Sequence, residues 1–297
     1  MTMPVVLPAE RAVPAAPSVL SRVLAHRGLT LGLVMVGGVV LIALLAPLLA
    51  PYDPYDQDLT RRLIPPVWHD KGSWLNPLGT DNLGRDYLSR VLYGARISLL
   101  IGASVMVISG AIGATLGLVA GYFGGRVDMV ASLIITTRLA MPVVLVALAV
   151  VATIGGSLTI VILTLGFLKW DRFAVVMRSA TQQVRSLDYV TAAEAAGASR
   201  LRVLVGEILP NVVPHLIVVA TVEAGSAILL EAALSFLGLG VQPPLPSWGL
   251  MIAEAKTFMF FSFWLIAIPG AALALLVLGI NLVGDGLRDV FAPDGRS

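Results

Sequence analysis

Residues 28–50 read GLTLGLVMVGGVVLIALLAPLLA, 23 residues without one charge. About 20 apolar residues are enough to cross the hydrocarbon core as a helix, so this stretch alone commits the chain to a membrane. Outward from it, uncharged runs recur at 97–125, 139–168, 208–222, 232–253 and 257–284. Hydrophobic residues make up 57% of the 297 positions and charged residues 13%, whereas soluble domains carry ~45–50% apolar and ~25% charged residues. The expected fold class is all-α, a polytopic membrane protein with six transmembrane helices near 28–50, 97–122, 129–153, 158–177, 211–238 and 262–284. The first run exceeds the 7–15-residue core of a cleaved signal, so it is expected to stay in the membrane.

Six spans place both termini on one side, and the positive-inside rule says which. The segment 178–208 carries Arg178, Arg185, Arg200 and Arg202 against Asp188, Glu194 and Glu207, while 51–96 holds six basic and six acidic residues. Both termini and 178–208 are therefore expected in the cytoplasm. The partition read from this is a tail at 1–27, a first helix at 28–50, an extracytoplasmic loop at 51–95, a five-helix core at 96–288 and a tail at 289–297.

Composition also removes whole classes of chemistry. With no cysteine, thiolate metal sites and thiol nucleophiles are excluded. Histidines at 26, 69 and 215 are too scattered for a metal cluster, and no metal is expected. None of Lys71, Lys169 and Lys256 follows a glycine, so the phosphate-binding G-x-x-x-x-G-K-[ST] loop is missing and the chain is not expected to hydrolyse ATP. No G-x-S-x-G or H-E-x-x-H sequence marks a hydrolase. Asp81, Asn82 and Asp86 resemble calcium ligands only faintly, without the glycine and glutamate of a calcium loop. The net charge of +2 is read as cytoplasmic Lys and Arg rather than a nucleic-acid surface.

Ionisable residues within spans are costly and default to functional candidates. Lys169, Asp171 and Arg172 sit where long side chains can snorkel to the interface. Glu223 and Glu231 are two helical turns apart on one face and are the candidates for the translocation path.

Between spans four and five, Asp188 to Ala196 (DYVTAAEAA) is a short helix expected to open on Asp188 as N-cap and to close at Gly197, a left-handed position. Ser199 can cap a second helix, along which Leu201, Leu204, Val205 and Ile208 form an apolar stripe until Pro210 begins the next span.

Thr191-Ala192-Ala193, three residues, Gly197, nine residues, then Glu207-Ile208-Leu209-Pro210 resembles the E-A-A-x3-G-x9-I-x-L-P signature of ABC importer permeases. Gly79-Thr80-Asp81-Asn82-Leu83-Gly84-Arg85-Asp86, Gly94-Ala95-Arg96-Ile97-Ser98-Leu99, the run Glu231 to Pro244 and Asn281 to Asp289 are similar to the dipeptide/oligopeptide/nickel branch, in its second, C-type permease. The resemblance implies a type I importer fold, a homologous permease partner, two ATPase subunits that hold ATP and magnesium, and an extracytoplasmic substrate-binding protein. It implies that no cofactor is bound by this chain, that the chain lies in the inner membrane of a bacterial cell, and that the solute is a peptide or a relative such as a nickel chelate. It assigns ATPase coupling to Thr191, Ala192, Ala193, Glu194, Gly197, Ala198, Ile208, Leu209 and Pro210. The departure is Thr191, where the family has Glu; Glu194, nearly a turn later, is the neighbouring carboxylate. Residue chemistry alone leaves an ion-coupled secondary transporter as the alternative, one that works without ATP.

Overall fold

The computed structural model describes residues 26–291, so the expected tails at 1–27 and 289–297 lie largely outside it. Among the described residues the chain is helical: α1 (Arg27–Leu49), α2 (Tyr87–Phe123), α3 (Gly125–Leu139), α4 (Val143–Ile154), α5 (Leu158–Leu168), α6 (Asp171–Arg185), α7 (Asp188–Ala195), α8 (Arg200–Phe236), α9 (Trp248–Ala255) and α10 (Trp264–Phe291). Four of these, α1, α2, α8 and α10, are long and apolar enough to cross a membrane, and α3 with α4 makes a fifth candidate bent by 78°. Large side chains such as Leu44 and Leu48 face outward, 71% and 82% exposed, as lipid contact requires.

Several expected boundaries are corrected. The second span begins at Tyr87, not near 97, because Asp86 caps it by accepting the Ser89 N–H at 2.8 Å and hydroxyl at 2.7 Å. Charge inside its first turns does not stop it, since Arg90 is neutralised there. The expected third span at 129–153 breaks around Met141, whose helical conformation Pro142 disfavours. The expected fourth span at 158–177 is two helices, α5 and α6, parted at Lys169 and Trp170. Arg138 stitches both breaks, donating to the carbonyls of Met141 and Leu168. The fifth span starts eleven residues early, at Arg200 rather than 211, and runs straight through Pro210.

Glycine ladders let the helices approach this closely. Gly113, Gly117 and Gly121 lie one above another on α2 and face α6. A Cβ at Gly117 would stand 2.6 Å from the Ala174 carbonyl oxygen, and one at Gly121 2.7 Å from that of Arg178. Membrane helices use small residues at four-residue spacing for backbone contact of this kind. Trp248 of α9 wedges against Gly94 of α2 and donates its indole N–H to the Val91 carbonyl at 3.0 Å.

Candidate functional site

Three polar constructions stand out from the apolar spans. The first is the elbow from α6 to α8. Leu187, not Asp188, is the N-cap of α7; Asp188 falls in the first turn, where a carboxylate faces the positive helix end. At the other end Gly197 has φ +85°. Its N–H bonds the Glu194 carbonyl at 3.0 Å, and the Ala198 N–H bonds that of Ala193 at 3.1 Å, the paired closure of a Schellman turn. Ser199 then caps α8, accepting the Arg202 N–H at 3.4 Å.

Residues Val203–Ile208 are π-helical, with the Leu209 N–H reaching back to the Leu204 carbonyl. Pro210 lacks an N–H and clashes with a regular helix behind it, and the widened turn accommodates it without ending the helix. The π register splits the expected stripe: Ile208 is buried and Leu204 packs beside it, as expected, but the other two members face out. Leu201 and Val205 are 70% and 52% exposed, while Val203 and Ile208, five residues apart, are fully buried. These two pack with Val190, Met177, Tyr122 and Val212. Ala193, Ala198 and Leu209 pack against the same cluster; Thr191, Ala192, Glu194, Gly197 and Pro210 are exposed. Glu194 nonetheless has an internal partner, accepting the Tyr122 hydroxyl proton at 3.0 Å. Arg185 stacks over Tyr122 at 5.6 Å. The elbow is thus a rigid knuckle with a bare outer face.

The second construction surrounds Glu223. This side chain is 1% exposed; its Oε2 lies 2.7 Å from Lys169 Nζ and its Oε1 3.4 Å from Arg172 Nε. Lys169 also donates to Ser226 at 2.9 Å. Far from snorkelling, Lys169 is buried. Above Glu223 opens a hollow of about 590 Å3 between α6, α8 and α10. Glu231 is placed apart from it. Sealed between α8 and α9, it accepts the hydroxyls of Ser235 at 2.7 Å and Ser247 at 3.0 Å. Of the two path candidates, Glu223 therefore lines a cavity and Glu231 fastens two helices.

The third construction went unrecognised as a site. Arg85 and Arg90, 2% and 1% exposed, both reach Asp81 and Glu254. Two cations and two carboxylates thus pin the long loop before α2 to the far side of α9. The equal charge count of 51–96 was the available signal, but Glu254 lies 164 residues beyond Arg90. Asp81 is filled by these guanidiniums and by the N–H groups of Leu83 and Arg85, and Asp86 by its cap. Among the described residues no group of three His, Cys, Asp or Glu is arranged for a metal.

Comparison with known proteins agrees with this geometry. A profile described as binding-protein-dependent transport system inner membrane component matches residues 113–297. A second, described as the N-terminal TM domain of oligopeptide transport permease C, matches 18–66. The chain is 44% identical over 268 residues to the di/tripeptide transport system permease protein DppC of Pseudomonas aeruginosa, covering 90% of this chain and 88% of the relative. It is 44% identical to the dipeptide transport system permease protein DppC of Escherichia coli K12, with 90% and 89% covered. The Haemophilus influenzae protein of that name is 42% identical, with 90% and 91% covered. This chain belongs to the family of binding-protein-dependent transport system inner membrane components, the multi-pass permease subunits of ABC importers, in the C-type branch of the peptide systems.

Proposed function

We propose that this chain is one half of the permease of a bacterial peptide importer, and that it carries dipeptides or short oligopeptides across the inner membrane with a homologous permease. Two ATPase subunits bind ATP and magnesium and dock on the cytoplasmic face. A substrate-binding protein delivers peptide on the other side. The 51–95 loop faces outward and both termini face the cytoplasm, in keeping with the basic excess of 178–208. The split α5–α6 element is then one span of six.

The observation that carries this reading is the elbow. Its outer face, from Thr191 to Gly197, is bare, yet α7 is tied through Val190 and Glu194 to α2 and α6 and through the π segment to α8. A helix held this way transmits displacement instead of absorbing it. When ATP draws the ATPase subunits together, the docked knuckle moves inward and α8 turns with it, a rigid-body transition. This chain breaks and makes no covalent bond.

Uptake of a labelled dipeptide into proteoliposomes holding the whole assembly tests the proposal. Uptake is expected to need ATP and the binding protein, and to vanish when the ATPase phosphate-loop lysines are replaced. Uptake that ignores ATP and follows an ion gradient would identify a secondary transporter instead. ATP-driven uptake of a nickel chelate in place of dipeptides would shift the substrate class.

A further inference from the structure

At the junction of α5 and α6 one carboxylate is shared by two cations. Lys169 holds Glu223 at 2.7 Å, while Arg172 touches it only at 3.4 Å. The other nearby carboxylate, Asp171, turns to its own helix start and accepts the Arg172 backbone N–H at 2.9 Å. Arg138, the third cation, bonds two backbone carbonyls. Glu223 is already neutralised by Lys169, which leaves Arg172 as a cation with one long contact. Its side chain is 65% exposed, against 1% for Glu223.

Arg172 stands where the hollow opens. Glu223 forms the floor, Val175, Val218 and Val222 contribute apolar wall, and Arg288 sits in the last turn of α10. A volume of about 590 Å3 falls within the ~300–1,000 Å3 of small-molecule sites, which combine apolar walls with a few converging polar groups. A guanidinium offers a planar fork matched to a carboxylate, and in an apolar surround such a pairing gains most.

We propose that this hollow is a carboxylate station on the translocation path, where Arg172 leaves Glu223 for the free C-terminal carboxylate of a short peptide. Lys169 stays paired with Glu223 during the exchange, and the valines receive the peptide's side chains. The inference rests on the peptide-permease reading and deepens it by naming the end of the peptide that is held.

The test uses the two permeases and two ATPases in nanodiscs without the binding protein, so that its own selectivity does not enter. A dipeptide carrying a benzophenone is photolysed as the free acid and as the C-terminal amide, and labelled segments are located by mass spectrometry. The acid is expected to label α6 and α8 about tenfold more than the amide, the factor one charge-assisted contact carries. Arg172→Gln abolishes that preference, and Arg172→Lys keeps part of it. Equal labelling by acid and amide, labelling outside α6 and α8, or a preference unchanged in Arg172→Gln overturns the proposal. If Arg172→Gln fails to assemble, the acid–amide comparison in the unsubstituted assembly decides alone. Uptake of the free acid by the complete importer is run alongside: no ATP-driven uptake refutes the peptide-permease reading, whereas uptake without an acid preference in the hollow refutes only the station.

Discussion

Replacing Gly197 with valine separates backbone geometry from packing. The residue has φ +85°, and no atom lies within 4 Å of where a Cβ would stand. The substitution therefore meets no neighbour, and its whole effect is conformational. A left-handed backbone costs a non-glycine residue ~1–2 kcal/mol, and a β-branched one more. If the turn relaxes instead, the two closing bonds from the Gly197 and Ala198 N–H groups are at stake, each worth ~0.5–1.5 kcal/mol. Either way the docked geometry rises by about 2–3 kcal/mol, a factor of 30 or more at 1.4 kcal/mol per decade. The elbow's outer face is exposed, so the spans should fold as before. We expect Gly197→Val to express and insert normally, while dipeptide uptake and binding-protein-stimulated ATP hydrolysis in proteoliposomes fall together at least tenfold. Gly197→Ala is expected to fall between. Gly206→Ala is the control, since Gly206 also has nothing within 4 Å but lacks a positive φ, and it should change little. Normal uptake by well-expressed Gly197→Val, or an equal loss in Gly206→Ala, would refute the argument that this turn carries force.

Three further outcomes follow from other parts of the fold. Glu254→Ala leaves Arg85 and Arg90 buried with one carboxylate between them, and loss of one partner of a buried pair costs ~3–5 kcal/mol; a large drop in detergent Tm is expected, read by differential scanning fluorimetry, and an unchanged Tm would contradict it. Gly117→Leu forces side-chain atoms into the Ala174 carbonyl, and overpacking of ~1–3 kcal/mol or more should lower both Tm and the yield of folded protein, whereas Gly37→Leu, at a position with open space, should not. Lys71→Cys is expected to react with an impermeant maleimide in intact cells and Gln183→Cys only after lysis, a clean assay because the chain has no cysteine; the reverse pattern would invert the topology.

Much of this architecture is legible in the sequence, and what is not has specific physical causes. The first span could be bounded to within a residue because the last charge before it is Arg27 and Pro51 closes it. Glycine at 197 and serine at 199 announced their turn and cap through local backbone chemistry, which acts within a few residues. The breaks at Met141 and Lys169 were hidden because apolar composition continues across them; Pro142 was the available hint for one, and a Lys-Trp-Asp run amid apolar residues for the other. The ladder of Gly113, Gly117 and Gly121 was also in plain view and gives the α2–α6 contact. The pairing of Lys169 with Glu223 was not readable, because 54 residues separate them and only the folded spans bring them to 2.7 Å. The π turn before Pro210 altered which side chains face inward, and a regular helical period cannot anticipate that shift.

The central claim, that the α7 knuckle seats in an ATPase subunit, is tested most directly by cross-linking from Ala195→Cys, an exposed position on α7. In the assembled importer, a short bismaleimide should join this cysteine to an ATPase subunit bearing one introduced surface cysteine, and the yield should change between nucleotide-free and ATP-bound states. Lys71→Cys, on the 51–95 loop, should give no such product. Absence of any ATPase adduct from Ala195→Cys in an assembly that still transports, or an adduct from Lys71→Cys instead, would contradict the account.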